Sequence, residues 1–235
     1  MKISVIFPTR KRIKAVKEVI ESIEQTCDNF DNVEFCIYYD IDDIETKEFL
    51  DDLSKTYKNL KYTTTSDNIN LSEMWNYAYS TLATGDIIML CADDVRFRTK
   101  SWDTTVINVF NHFDDKLVLV YGNDGIQGEK LATLPFVHRK WIEVSKFWLP
   151  PYFVSDYVDL WLHEVASALG RGIYLNDVYT EHMHFSVNKS PKDETTQNRL
   201  DRHEKQNPGR IYSEKIQERI AHIELLQSYI NAFHE

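Results

Sequence analysis

The sequence predicts an α/β fold: a mostly parallel sheet with helices on both faces, followed by a C-terminal helix. Two observations predict it. Short β-rich apolar runs alternate with amphipathic segments through the first half of the chain, the pattern of repeated strand–helix units. The stretch Gly85-Asp86-Ile87-Ile88-Met89-Leu90-Cys91-Ala92-Asp93-Asp94 then supplies a central strand. A short apolar run after a Gly-Asp turn reads as a strand buried on both faces. Such a strand carries no charge in its middle, so Asp93 and Asp94 emerge at its C-terminal end.

The elements follow in order. Residues 3–7 form a β-rich run, ended by Pro8-Thr9-Arg10-Lys11-Arg12. Residues 14–25 read as a helix, with Val16, Val19, Ile20 and Ile23 on one face. Residues 33–39 form a second strand, leading to Asp40-Ile41-Asp42-Asp43. A helix over 45–57 places Phe49, Leu50 and Leu53 towards the core. Residues 60–64 form a third strand, and 71–82 a helix. Further on, 102–113 reads as a helix, 117–121 as a strand and Gly122-Asn123-Asp124-Gly125 as a turn. A helix opens near Ser155 or Asp156, either of which suits its N-cap. Gly172-Ile173-Tyr174-Leu175 leads into the segment 177–185. Residues 186–212 are polar and read as a mobile loop able to order over a ligand. The final helix, 213–233, carries Ile216, Ile220, Ile223, Leu226 and Ile230 on one face. That face predicts packing on the domain or a homodimer through this helix.

Composition narrows the function. The 235 residues suffice for one large domain, and 43% hydrophobic with 13% aromatic residues fill a core. We expect one domain with a first half over 1–100, a second half over 101–190, and the polar loop and helix over 191–235. A formal charge of −10 argues against a nucleic-acid partner and an anionic membrane surface. The three cysteines, Cys27, Cys36 and Cys91, lack metal-type spacing and read as free thiols in a reducing compartment. The chain opens directly on a strand, and no apolar run approaches a membrane span. The expectation is a cytoplasmic protein with no signal peptide.

Polar clusters follow strands one, two and four: Thr9-Arg10, Asp40 with Asp42, and Asp93-Asp94. In a parallel sheet they share one edge, where open α/β sheets bind ligands. Two adjacent carboxylates repel unless a cation sits between them, and Mn²⁺ or Mg²⁺ suits oxygen ligands. The arrangement fits a nucleotide: cations near phosphates, a carboxylate near the base or ribose, and a metal site. With only seven glycines, the chain has neither Gly-x-Gly-x-x-Gly nor a P-loop, so side chains and a metal must hold any phosphate.

These residues resemble the nucleotide-sugar glycosyltransferases of GT-A (Rossmann-like) fold, in particular family 2. The resemblance covers Ser4-Val5-Ile6-Phe7-Pro8-Thr9-Arg10 and the block that opens at Asn68. Members often read Asn-x-Gly-x-x-x-Ala-Arg-Asn, a helix, a Gly-Asp turn, a strand, and Asp-x-Asp-Asp. Here Asn68-Ile69-Asn70-Leu71-Ser72-Glu73-Met74-Trp75-Asn76 precedes Gly85-Asp86 and Cys91-Ala92-Asp93-Asp94. Spacing is kept, but Asn70, Met74 and Trp75 replace Gly, Ala and Arg, and Cys91 replaces the first Asp of the metal motif.

The resemblance implies a metal-dependent, inverting transferase acting on a nucleoside-diphosphate sugar and a glycan or small-molecule acceptor. By the same resemblance 1–100 is the nucleotide-sugar-binding half, with Pro8, Thr9, Arg10, Asp40, Asp42, Asn68, Asn76 and Asp93 in the donor site, and 101–190 is the acceptor-binding and catalytic half. Asp93 and Asp94 become metal ligands with His184 or His182, of which His184, further along the emerging strand, is preferred. Asp156 matches the acidic residue that takes the acceptor proton, with Asp159 in reserve. Two other readings are a sugar nucleotidyltransferase, which the glycine-free loop after the first strand disfavours, and a non-catalytic nucleotide- or glycan-binding relative.

Overall fold

The computed structural model describes residues 1–235 except Asn68 and Ser155. The first half follows the predicted strand–helix alternation: β1 (Ile3–Thr9), α1 (Ile13–Thr26), β2 (Val33–Tyr39), α2 (Ile44–Thr56), β3 (Leu60–Thr63), α3 (Leu71–Leu82) and β4 (Ile87–Leu90). β1 pairs in parallel with β2 and β4, and β2 with β3. Side chains alternate across the strands. Val5 and Phe7 enter one core cluster, with α1, and Ile6 enters the other, with α3. Local chemistry starts the helices: Asp43 caps α2 through Thr46 N–H. Asn70 and Glu73 form a capping box on α3.

The second half departs from simple alternation. It contains β5 (Val95–Phe97), α4 (Trp102–Asn111), β6 (Leu119–Asn123), β7 (Phe136–His138), α5 (Arg139–Ser145), α6 (Val158–Ala168) and β8 (Gly172–His182). Among the described residues the sheet runs in the strand order β3-β2-β1-β4-β7-β6-β8-β5. β7 lies antiparallel between β4 and β6, and β5 lies antiparallel to β8. β5, β7 and α5 were not anticipated, because a three-residue strand is too short to show a period. The segments 172–175 and 177–185 are largely one strand, kept together by a register shift at Gly122/Asn123. Gly122 allows that close pairing. A Cβ there would lie 2.4 Å from the Val178 carbonyl oxygen. Gly122→Ala is therefore expected to destabilise the fold by about 1–3 kcal/mol or more, read from denaturant midpoints.

α6 starts after Tyr157, whose φ is 81°, so Asp156 is not its cap, and Ser155 lies outside the described residues. The polar stretch 186–212 is not a loop: it contains α7 (Glu194–Gln206) and α8 (Pro208–Glu214). α7 buries only Thr196. It is held by the Asp193 cap and by ion pairs to distant residues, so no apolar stripe announces it.

The last helix, α9 (Ile216–His234), packs back on α5 and α6. Its buried face is rotated from the isoleucine stripe and carries Arg219, His222, Leu226 and Ile230, leaving Ile216 and Ile220 exposed. Polar anchors decide this. His222 bonds Ser145 Oγ at 2.7 Å and accepts from Trp161 Nε1 at 3.1 Å. The Arg219 guanidinium stacks 3.9 Å from the Tyr212 ring centre. Among the described residues, no helix is long and apolar enough to cross a membrane. Cys36 and Cys91 are buried free thiols, as expected, and Cys27 is half-buried and free.

Candidate functional site

A cleft of about 1070 Å³ opens at the C-terminal edge of the central strands. That is at or above the size of typical small-ligand pockets, about 300–1,000 Å³. From the strand ends come Pro8, Thr9, Arg10, Asp40, Asp93 and Asp94. From the opposite wall come Asp156, Asp159, His182, His184 and, from α7, Arg199. The sheet thus brings together most of the residues picked out along the chain.

The turn 91–94 is fixed by its neighbours. Trp75, standing where relatives often have Arg, donates its indole N–H to the Cys91 carbonyl at 3.0 Å. The Arg96 guanidinium holds the Asp93 carbonyl at 3.1 Å. Asp93 is 4% exposed, and both of its carboxylate oxygens are engaged. Thr9 Oγ1 donates to Oδ2 at 2.8 Å, and Arg12 donates to Oδ1 at 3.1 Å. Burial raises the Asp93 pKa, Arg12 opposes this, and the Asp94 charge adds to it. Asp94 faces His182, with Nε2 3.3 Å from Oδ1. Against the cost of burial, that contact lowers the Asp94 pKa and raises that of His182.

The preferred histidine is not the one beside the carboxylates. His184 lies beyond the end of β8, and its Nδ1 meets Ser186 Oγ at 2.7 Å. Its ring centre is 5.1 Å from that of His182. Burial and the neighbouring His182 lower its pKa.

The two acids of the opposite wall differ in surroundings. Asp156 is clasped by α7: Arg199 reaches Oδ1 at 2.5 Å and His203 Nδ1 reaches Oδ2 at 2.6 Å. Asp159, in the first turn of α6, accepts from its own helix at Leu160 N–H, 2.9 Å. It has no ion pair among the described residues. Burial, then the charge of Asp156, push its carboxyl up to about 6.

Other expected donor contacts divide. Asp40 lines the cleft and pairs with Arg10 at 3.0 Å. Asp42 is 65% exposed, also held by Arg10, and points outside the cleft lining. Asn76 is not a cleft residue. Its side-chain amide exchanges two hydrogen bonds with Leu149 backbone, at 2.8 and 3.0 Å, and so anchors the segment before α6. Asn68 lies outside the described residues.

The donor set for Mn²⁺ or Mg²⁺ does not come together as these residues stand. Among the described residues, no three His, Cys, Asp or Glu side chains form a metal-holding group. Asp93 is occupied by Thr9 and Arg12, and burial pushes the Cys91 thiol up, far from a thiolate ligand. Arg12 is the residue the pattern of polar clusters passed over. Its position one residue before α1, in the loop that follows β1, was the available signal. Arg199 had no such signal, because its role depends on the folding back of α7.

The sequence model of Glycosyl transferase family 2 matches residues 4–164. No curated protein matches the chain. Solved structures of similar fold include TarS 1-349 of S. aureus, at 16% identity and a TM-score of 0.59, covering 77% of this chain and 59% of that one. The mannosyltransferase PcManGT of Pyrobaculum calidifontis, solved with GDP-Man and Mn²⁺, is 16% identical at a TM-score of 0.61, covering 77% and 56%. GalNAc-T7, solved with UDP, GalNAc and Mn²⁺, is 8% identical at a TM-score of 0.65, covering 77% and 43%. This chain therefore spans less than two thirds of each of those chains, and the likeness to them is one of fold. With most of its length, including the turn that carries Asp93 and Asp94, matched by one family's pattern, the chain belongs to glycosyl transferase family 2.

Proposed function

We propose that this chain transfers a sugar from a nucleoside-diphosphate sugar to an acceptor hydroxyl, with inversion at the anomeric carbon. The observation that carries the reading is Asp159: a carboxylate that has no ion pair among the described residues, pushed up to about 6, in the same cleft as Asp93 and Asp94. Family membership and the position of the cleft support a donor bound over Thr9, Arg10, Asp40 and Asp93. The acceptor oxygen attacks the anomeric carbon from the side of α6. The bond to the diphosphate breaks and the diphosphate leaves with the electron pair. The acceptor proton passes to Asp159. A single displacement of this kind inverts the centre.

Asp159 is preferred over Asp156 as the base because Arg199 and His203 already occupy both oxygens of Asp156. A base whose pKa lies near the working pH is also the more effective one. Mn²⁺ or Mg²⁺ binding by Asp94, His182, His184 and Asp93 would need Arg12 to leave Asp93, so no step is routed through a metal. Replacement of the first motif acid by Cys91 favours a second reading, a non-catalytic binder of the same ligands.

The test is thermal stability of the full chain against UDP-, GDP-, CMP- and dTDP-sugars, followed by donor turnover. A ligand that binds only the folded state raises Tm by mass action. A concentration-dependent rise with one base, with turnover, supports the transferase. A rise without transfer or hydrolysis selects the binder. No rise with any donor at millimolar concentration overturns the donor site.

A further inference from the structure

We propose that Arg12 binds the diphosphate of the donor, and that the Asp193 carboxylate occupies the phosphate's seat in the ligand-free chain. The inference rests on the donor-site reading above. Arg12 Nε and NH2 each donate to one oxygen of Asp193, both at 2.8 Å. This is the two-pronged geometry with which guanidinium grips carboxylate or phosphate alike. NH1 meanwhile donates to Asp93 at 3.1 Å. A guanidinium has five N–H donors. It can keep Asp93 through NH1 and exchange Asp193 for two phosphate oxygens through Nε and NH2.

Three further observations point the same way. The arginine lines the cleft and its side chain is 22% exposed, so a ligand can reach it. It lies beside Asp93, where the family pattern expects charge neutralisation, while among the described residues the side chains for a metal do not assemble. The competing carboxylate comes from the start of α7, which buries only Thr196 and is therefore held by contacts that can be exchanged. A diphosphate at Arg12 would be partly neutralised by a fixed cation, and the leaving group would gain stabilisation from it. Binding of the donor then releases Asp193 from Arg12, while Thr196 Oγ1, which accepts from Arg12 at 2.8 Å, and Thr195 Oγ1, which donates to the Arg10 carbonyl at 3.2 Å, keep the start of α7 against the cleft.

The experiment is calorimetric titration of UDP, GDP, CDP and dTDP, and of the matching nucleosides, into the full chain, in EDTA and in Mn²⁺. Wild type, Arg12→Gln and Asp193→Asn are compared. Asn at position 193 keeps the cap of α7 but loses the competing charge. One diphosphate is expected to bind wild type in EDTA. Arg12→Gln should lose about tenfold to a hundredfold in that affinity, the scale of charge-assisted hydrogen bonds, with the nucleoside unaffected. Asp193→Asn should bind the diphosphate more tightly than wild type.

Diphosphate binding that needs Mn²⁺ and vanishes in EDTA overturns the role of Arg12 and leaves the donor site standing. Equal weakening of nucleoside and diphosphate in both variants also overturns it, and makes Arg12 an anchor for α7. No binding under either condition removes the donor site itself.

Discussion

Asp159→Asn is expected to lower kcat by about 10²–10⁴-fold, the usual contribution of a positioned general base. Donor binding should be unchanged, because no bond to the donor is lost. The variant should also melt no lower than wild type. An acid whose folded pKa is raised costs stability once the pH exceeds its unfolded value, and the neutral amide removes that cost. Retained stability then separates loss of chemistry from loss of fold. The pH profile supplies a second check. A base held at about 6 is protonated below that value, so kcat/KM should fall on the acid side of pH 6. Asp156→Asn should keep much of the rate and move this acid limb to lower pH, because the charge of Asp156 helps to raise the Asp159 carboxyl. The reverse outcome, a dead Asp156→Asn beside an active Asp159→Asn, moves the base to Asp156 and makes its release from Arg199 and His203 part of the cycle.

Glu34→Ala is expected to cost the largest share of stability of any single change at the edge of the sheet away from the cleft. The side chain is fully buried in β2 and collects partners from three segments. Lys2 and Lys61 reach it at 2.6 and 2.9 Å. Ser4 Oγ donates at 2.7 Å, and Thr84 N–H and Gly85 N–H at 2.6 and 3.1 Å. The two lysines can turn to water, but the hydroxyl and amide donors cannot, and breaking a buried charge network costs about 3–5 kcal/mol. For a chain of this size that is roughly 6–20 °C in Tm.

The pH dependence has a definite sign. Against the cost of burial, Lys2, Ser4 and the Thr84 amide hold the Glu34 carboxyl at about 2. A depressed acid contributes stability above its unfolded pKa of about 4.5 and loses it as the pH falls towards 2. The gap between wild type and Glu34→Gln should therefore narrow from roughly 3 kcal/mol towards nothing over that range. A gap independent of pH would mean that shape, not charge, carries the network.

Local pattern accounts for what could be read from the chain alone. The alternation of apolar runs and helical stripes specified β1 to β4 and α1 to α3 almost to the residue, because periodicity is a property of neighbours in sequence. The same reading placed Thr9, Asp40, Asp93 and Asp94 on one edge, since parallel strands end on the same side. It failed where stability comes from distant partners. α7 has almost no apolar face and is held by Asp193 on Arg12 and Arg199 on Asp156, residues 181 and 43 positions apart. α9 turned away from its isoleucine stripe because Ser145 and Trp161 satisfy His222.

The same division runs through the site. Sequence alone established the α/β class, the strand-end acids and the resemblance to family 2. Only the tertiary structure decided that Arg12 shares Asp93, that His182 rather than His184 meets Asp94, and that among the described residues Asp159 rather than Asp156 stands without an ion pair. Charge pairing across a cleft depends on which side chains the fold brings within about 4 Å of one another, and no local period encodes that distance.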